Sequence, residues 1–186
     1  MSKFPSTFND CGVDFMRLNE EYIEMVRRWR MKPEIVSKME YRGVITPEMQ
    51  RAWFHRIDND LNFYYIAYCK REPVGCVNLK DLDYNNRSAE GGIFIGEPEK
   101  TDAFFGLRCV IAMYNFGFTI LGLKTIRIHV LRDNPGAIRM NQLMGFQLLP
   151  NQNEDVYNQE YQVTQEVFEQ KASSLRKRFN NNEDKV

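Results

Sequence analysis

Three stretches near the middle of the chain carry residue patterns that suit ligand binding. Residues 89–96 (AEGGIFIG) are β-rich, and their glycines permit a bulge. Residues 101–106 open a long apolar helix, and backbone N–H groups at a helix N-terminus bind phosphate groups. Residues 121–146 combine a strand with a short helix that begins after Asn134. Together they predict a ligand site in the middle of the chain.

The histidines and cysteines do not form a metal-binding pattern. The chain has two histidines and four cysteines, and no cysteine pair has CxxC spacing. We therefore expect no metal. His55 is interpreted as a surface or packing residue. His129 alternates with Ile128 and Val130, so we interpret it as an ordinary residue on the opposite side of a strand.

Composition and charge predict one globular domain. The 186 residues are 43% hydrophobic, which suits a single core. Equal numbers of basic and acidic residues, 25 each, argue against nucleic-acid or membrane partners but allow a local phosphate site. The N-terminus lacks the apolar segment of a secretory signal. We expect a domain over residues 1–178, a disordered tail over 179–186, a cytoplasmic location and a monomer or homodimer.

Hydrophobic periodicity and capping residues divide the domain into elements. Asn19 and Thr46 are predicted N-caps, and the second helix is expected to turn Met49, Trp53 and Phe54 inward. The predicted strands are 13–18, 62–69, 74–79, 89–96, 125–131, 146–149 and 157–163. The predicted helices are 20–30, 47–58, about 101–121, 135–144 and 165–179. This order predicts an α/β (α+β) domain with a central antiparallel meander and a later βαβα passage.

The passage from 121 to 146 resembles the GNAT acetyltransferase superfamily. The pattern consists of a strand, Asn-x-x-Ala-Ile-x and Gly-Phe, and this chain has Asn134, Ala137, Ile138, Gly145 and Phe146 in place. The resemblance extends over roughly residues 15–163. It implies a mostly antiparallel central sheet, flanked by helices, in which one strand pair splays apart to hold a cofactor.

The resemblance implies that acetyl-coenzyme A is the co-substrate. Residues 101–107 would cradle its pyrophosphate, and a bulge at 92–95 would part that strand from 125–131 and free donors for the thioester carbonyl. Asn134 would lie near the pantetheine arm. The implied cofactor-binding residues are Phe94, Ile95, Phe104, Phe105, Gly106, Leu107, Arg108, Asn134 and Ala137.

Two positions depart from the superfamily pattern. The phosphate loop usually reads Arg/Gln-x-x-Gly-x-Gly/Ala, but this chain keeps only Gly106 and has Phe104 in place of the first glycine. Asp102 would repel the pyrophosphate unless it turns away, and Arg108 would compensate. The tyrosine that often protonates the departing thiolate is replaced by Asn141, which can hydrogen-bond sulfur but is no useful acid.

The acceptor is expected to be a primary amine. Glu90 matches an acidic residue frequent in the family, and it would take a proton from the attacking ammonium group. An ordinary surface carboxylate is an equally good interpretation of this residue. The N-terminal passage looks like the branch that acetylates nucleotide-linked amino sugars in pseudaminic-acid biosynthesis. The implied acceptor-binding residues are Trp29, Arg30, Met39, Tyr41 and Trp53.

Three alternatives stay open at this point. The tryptophans lie on apolar helical stripes, where such residues commonly belong to the core. A second hypothesis for the acceptor is a protein N-terminus, as in the ribosomal-protein acetyltransferases. A third hypothesis is a domain with a degenerate phosphate loop that binds a ligand or partner without turnover.

Overall fold

The computed structural model describes residues 4–150, 152 and 156–181. The helices are α1 (Glu20–Arg30), α2 (Pro33–Val36), α3 (Pro47–Ile57), α4 (Phe105–Thr119), α5 (Pro135–Leu143) and α6 (Gln165–Asn181). The strands are β1 (Thr7–Asp10), β2 (Val13–Arg17), β3 (Phe63–Cys69), β4 (Glu72–Asp83), β5 (Ser88–Ile95), β6 (Thr125–Leu131), β7 (Gln147–Leu148) and β8 (Asn158–Thr164). A single 3-10 turn covers Pro98–Lys100.

All eight strands form one sheet in the order β1-β2-β3-β4-β5-β6-β8-β7. Every neighbouring pair is antiparallel except β5 and β6, which run parallel. The parallel pair results because α4 carries the chain back across the sheet between β5 and β6. The predicted mixed, mostly antiparallel sheet is confirmed.

One face of the sheet packs on α4 and α6 and forms the main core. Alternate residues of β6, namely Ile126, Ile128 and Val130, point into it. Gly91 of β5 lies so close to α4 that a Cβ there would be 2.6 Å from the Tyr114 ring. This face is therefore apolar and closely packed along the middle of the sheet.

The opposite face is covered only in part. Helices α1 and α3 pack a smaller cluster, which includes Val26 and Phe54, on Ile66 of β3 and Cys76 of β4. Further along the sheet this face carries polar side chains from β4, β5, β6 and β8, because residues that alternate with core positions point the other way. An open polar surface is left beside α1.

The helix caps read from the sequence are confirmed. The Asn19 side chain accepts a hydrogen bond from the Glu21 N–H, and Thr46 accepts one from the Met49 N–H. The expected inward direction of Met49 is wrong, since that side chain is 44% exposed. Phe54 is buried, as expected, and Gln50, four residues earlier on the same stripe, faces inward in place of Met49.

Three features depart from the predicted outline. Strand β1, helix α2 and the 3-10 turn were not predicted. No register shift occurs in the β4–β5 pairing at residues 92–95, so the expected bulge there is wrong; the irregularity lies between Lys80 and Asp83. Helix α6 continues to Asn181, so the predicted domain boundary at 178 falls inside it. The rest of the predicted tail, 182–186, lies outside the described residues.

Candidate active site

Strands β5 and β6 pair along only half of their length. Their register runs from Ser88 opposite Thr125 to Gly91 opposite Ile128 and stops there. The other edge of β5 stays paired with β4 up to Ile95. The N–H and C=O groups that residues 92–95 turn towards β6 consequently have no strand partner, and the two strands open a gap with its narrow end at Gly92 and His129. The predicted splayed pair is present.

The first turn of α4 supplies backbone donors near this gap. The N–H groups of Gly106 and Leu107 lie in the first turn, where no intrahelical acceptor exists. A Cβ added at Gly106 would have no atom within 4 Å, so the space beside its backbone is open. The donors and the open space together fit a phosphate group.

The two phenylalanines of the predicted phosphate loop have different environments. Phe104 is 61% exposed, and its side chain does not fill the space beside Gly106. Phe105 is 1% exposed and belongs to the main core. The Phe105 ring faces inward, so only the backbone of this residue can contact a cofactor, and that contact stays a prediction.

Asp102 and Arg108 neutralise each other. The Arg108 Nη2 forms a short ion pair with an Asp102 carboxylate oxygen. The other Asp102 oxygen accepts a hydrogen bond from the Phe104 N–H at 2.8 Å. Arg108 also donates to the Gly12 carbonyl at 3.4 Å. Arg108 thus offsets the Asp102 charge, as the sequence suggested, while a direct contact between Arg108 and a phosphate stays a prediction.

Asn134, Phe94 and Ile95, three of the remaining predicted cofactor residues, can offer only backbone or capping groups to a cofactor. Asn134 is the N-cap of α5, and its Oδ1 accepts from the Ala137 N–H at 3.2 Å, which leaves its amide group as the donor. The side chain of Ile95 packs on the main core, whereas that of Phe94 lies on the opposite face against Trp29. Only the backbones of these two β5 residues can therefore face the gap.

Asn141 is poorly placed to assist a leaving group. Its side chain is 6% exposed, and its Nδ2 donates to the Ala137 carbonyl one turn earlier at 2.8 Å. Its Oδ1 is buried without a hydrogen-bond partner. Because a departing thiolate needs a donor and the Asn141 donor is engaged within its own helix, the geometry does not favour the predicted catalytic role.

Glu90 stands at the closed end of the gap, on the open polar face. Its Oε1 is 3.0 Å from the Lys80 Nζ and 3.3 Å from the His129 Nδ1. The three groups come from β4, β5 and β6. They meet because β4 and β5 pair Lys80 with Glu90, and His129 follows the last residue that pairs with β5. We refer to Lys80, Glu90 and His129 as the charged cluster.

Tyr64 lies between the charged cluster and α1. Burial raises the pKa of its phenol, and the negative charges of Asp81 and Glu90 add to the effect, whereas Arg30 acts in the opposite direction. The phenol therefore stays protonated and can donate or accept a hydrogen bond on this face. The sequence analysis did not identify Tyr64 as a site residue.

Arg30 is a half-buried cation without a counter-ion. Its guanidinium carbon lies 5.9 Å from the centre of the Phe94 ring, and its Nε is buried with no hydrogen-bond partner. It forms no ion pair with any residue in the part of the chain that the structure describes. Burial lowers the pKa of this guanidinium from its ordinary value.

Trp29 is a buried packing residue, and its contact with an acceptor stays a prediction. It is 3% exposed, and its indole lies over Gly96, where a Cβ would be 2.2 Å from the ring. Its Nε1 donates to a Glu97 carboxylate oxygen at 2.6 Å. The Lys32 Nζ lies 3.2 Å from the same oxygen, so α1 is fixed to the end of β5.

The other three predicted acceptor residues differ in exposure. Trp53 is half-buried and packs edge-on against Tyr64, with ring centres 5.1 Å apart. Met39 packs on the same cluster. Tyr41 is 51% exposed in the loop between α2 and α3 and is not held by the core. The structure thus gathers Arg30, Met39 and Trp53 around Tyr64, while Tyr41 lies at the surface.

His129 is the residue that sequence reasoning undervalued. Alternation within 125–131 correctly turned it away from the core, where it is an exposed residue. Its meeting with Glu90 depends on the register between β5 and β6, which no local pattern contains. The sequence did offer one indication of this contact: an acidic residue, Glu90, lies on one predicted strand and a histidine, His129, lies on the next predicted strand.

The described ranges contain no candidate metal site and no candidate membrane-spanning helix. No group of three or more histidine, cysteine or acidic side chains among these residues is arranged to hold a metal ion. In the same part of the chain, no helix has both the length and the apolar character to cross a membrane.

Sequence similarity to known proteins covers half of this chain or more. A 92-residue stretch is 32% identical to the spermidine N(1)-acetyltransferase of Vibrio cholerae, which is 50% of this chain and 53% of that protein. The chain thus spans about half the length of that relative. The acetyltransferase PseH of Campylobacter jejuni is 22% identical over 145 residues, which is 77% of this chain and 88% of PseH.

The solved structures show the same fold. The Vibrio cholerae spermidine N-acetyltransferase in complex with CoA and spermine matches with a TM-score of 0.72 at 20% identity, covering 84% of this chain and 97% of that one. A dodecameric structure is known for that enzyme; the monomer or homodimer expected here stays a prediction. The acetyltransferase (GNAT) domain matches residues 15–147, which is more than half of the chain. The chain therefore belongs to the GNAT acetyltransferase family.

Proposed function

We propose that this protein transfers the acetyl group of acetyl-coenzyme A to the primary amine of an acceptor that also carries an anionic group, such as a nucleotide-linked amino sugar. The observation that carries the acceptor class is Arg30. A half-buried guanidinium without a counter-ion is costly in the free protein, and an acceptor phosphate would supply the missing charge.

The acidic groups near Arg30 argue against a polycationic acceptor. Glu90 is paired with Lys80, and Glu97 is paired with Lys32. Glu160, on the neighbouring strand β8, lies 3.4 Å from the Arg127 Nη1. Since each of these carboxylates already has a cationic partner, a polyamine would find few free anions on this face, whereas an anionic acceptor would find a free cation.

The gap between β5 and β6 supports the donor side of the proposal. Acetyl-coenzyme A supplies an activated acetyl group as a thioester. The unpaired N–H groups of residues 92–95 would hold its carbonyl and stabilise the oxyanion that develops during attack. The first turn of α4, with Gly106, would hold the pyrophosphate, and Asn134 would donate to the pantetheine arm.

The acceptor side has three tasks, which different residues would perform. Arg30 would bind the anionic group of the acceptor, while Met39 and Trp53 offer apolar surface for a sugar or base. The phenol of Tyr64 would hydrogen-bond the acceptor. The charged cluster would remove the proton from the ammonium group, because only the free amine has the lone pair needed for attack.

A thiol-release screen tests this proposal. The panel contains a nucleotide-linked amino sugar, the free amino sugar, spermidine and a basic peptide with a free N-terminus. We expect the highest kcat/KM for the nucleotide-linked acceptor. Higher kcat/KM for spermidine would favour the polyamine acceptor named for the Vibrio cholerae relative, and preference for the peptide would favour the ribosomal-protein type. Binding of acetyl-coenzyme A without any turnover would favour a binding domain.

Arg30→Met, with Arg28→Met as its control, tests the anion contact. Arg28 lies on the same helix, but its side chain is 72% exposed and paired with Glu24. Loss of a charge-assisted hydrogen bond of about 1.5–3 kcal/mol predicts roughly a 10- to 150-fold rise in KM for the phosphate-bearing acceptor. KM for the free amino sugar should not change. The thermal midpoint of Arg30→Met should equal or exceed that of the wild type, because an unpaired buried cation is removed. A lower midpoint with an unchanged KM would show that Arg30 has a structural role.

A further inference from the structure

His129 occupies the first position at which β5 and β6 separate. Gly91 and Ile128 are the last pair, so Gly92 and His129 stand on either side of the narrow end of the gap. The His129 side chain points to the open polar face, opposite the core residues Ile128 and Val130, and is 37% exposed. It therefore lies where the donor gap and the acceptor surface meet.

The position of Glu90 favours one tautomer of the neutral His129 ring. The Nδ1 is 3.3 Å from the Glu90 Oε1, and a carboxylate oxygen attracts an N–H group but repels a nitrogen lone pair. The favoured neutral ring therefore carries its proton on Nδ1 and its free lone pair on Nε2. This is the arrangement of a histidine general base held by a carboxylate.

Glu90 itself is less accessible than His129. Its Oε1 contacts both Lys80 and His129, and its side chain is 22% exposed against 37% for His129. An ammonium group that approached the Glu90 Oε1 would have to displace the Lys80 Nζ at 3.0 Å. We infer that His129 is the general base of the acetyl transfer and that Glu90 is its positioning residue. This inference rests on the proposed function.

Charged groups from every neighbouring strand face this histidine. Glu160 on β8 is its cross-strand partner and is paired with Arg127. Lys80 on β4 also lies 3.8 Å from an Asp81 oxygen. Beyond the cluster, Glu90 acts electrostatically on Tyr64 of β3, on the same face, and on Tyr114 of α4, beneath the sheet. Two carboxylates, Glu90 and Glu160, and two cations, Lys80 and Arg127, therefore lie around the His129 imidazole.

The reaction balances with His129 in this role. The His129 Nε2 takes one proton from the acceptor ammonium group, and the free amine attacks the thioester carbonyl carbon, which forms the C–N bond. The C–S bond then breaks and the sulfur leaves with its electron pair. The second proton lost from nitrogen reaches the sulfur through water, and His129 later releases its proton to solvent. The products are the N-acetyl acceptor, the free thiol of coenzyme A and one proton.

Comparison of the pH dependence of three variants tests this assignment. His129→Gln, Glu90→Gln and the control His55→Gln are measured with the preferred acceptor and saturating acetyl-coenzyme A. His55 is on the exposed side of α3, with a 67% exposed side chain, and lies outside the site. His129→Gln should lower kcat/KM about 10²- to 10⁴-fold and remove the acidic limb of the pH profile. His55→Gln should leave both unchanged.

Glu90→Gln should keep the acidic limb, because the imidazole base is still present, and should lower kcat/KM by less than His129→Gln does, because only the positioning of the ring is lost. In His129→Ala, added free imidazole should restore part of the rate, which a purely structural role would not allow. The assignment is overturned if Glu90→Gln removes the limb while His129→Gln retains it, or if His129→Gln keeps the wild-type rate. Preferred turnover of the phosphate-bearing amine by the wild type upholds the proposed function in either case, and absence of all turnover overturns both.

Discussion

The two faces of strands β5 and β6 have opposite characters within the same few residues. On the face towards α4, Ile126 and Ile128 are at most 3% exposed and pack in the main core. On the other face, Glu90 and His129 are partly exposed and contact each other through polar atoms. The difference teaches that one strand can serve stability and chemistry separately, because alternate residues point to opposite sides.

The largest expected effect comes from changing neighbours on β6. Ile128→Ala removes a buried branched side chain and should lower the free energy of unfolding by about 2–5 kcal/mol. His129→Gln, one residue later, should change it by less than about 0.5 kcal/mol, because the side chain is partly exposed. Urea unfolding followed by circular dichroism measures both. Equal losses would show that the two faces do not separate stability from chemistry.

The elements on both faces followed from local sequence signals. Asn19, Thr46 and Asn134 each accept the capping hydrogen bond that their side chains allow. Strand β1 was not predicted because it has only four residues, and so short a segment does not show a clear alternation of apolar and polar residues. Met49 was misplaced because the neighbouring stripe of α3, with Gln50 and Phe54, faces inward.

The chemistry of the site depended on contacts that the sequence does not contain. Glu90 was recognised through a family resemblance, but its two partners come from strands that pair only in the fold. Whether Arg30 has a counter-ion depends on all the residues packed around it, and a sequence motif does not contain that information. Asn141 and Phe105 matched aligned positions, yet the side chains of both are buried, which no alignment reveals.

A smaller difference between the faces is expected at the adjacent glycines of β5. In Gly91→Ala the new methyl group would lie 2.6 Å from the buried Tyr114 ring and should cost about 1–3 kcal/mol. In Gly92→Ala it would meet the Asn78 amide oxygen at 2.9 Å, at the end of a side chain that can rotate. That variant should be neutral or gain up to about 1 kcal/mol through the unfolded state. Thermal unfolding compares the two, and a larger loss in Gly92→Ala would contradict the difference between the faces.

The smallest expected effect is a pH dependence confined to the polar face. The Trp29 Nε1 hydrogen bond holds the pKa of Glu97 below its ordinary value, with Lys32 contributing. A carboxyl group whose pKa is lowered in the folded state stabilises the fold at pH values above its unfolded-state pKa, about 4.3. This contribution is lost as the pH falls from the unfolded-state pKa through the lower folded-state pKa. Glu97→Gln should therefore reduce stability modestly at neutral pH and make it less dependent on pH in the acid range.

Trp29→Phe removes the same hydrogen bond from the donor side, so the loss of pH dependence in the double variant should not be the sum of the two single losses. The check is the urea midpoint of all four proteins at neutral pH and near pH 4. If Glu97→Gln kept the wild-type slope between these conditions, the acid sensitivity would have to come from other carboxylates. The contact between α1 and the end of β5 would then owe its stability to the Trp29 ring packed on Gly96 rather than to the ion pair.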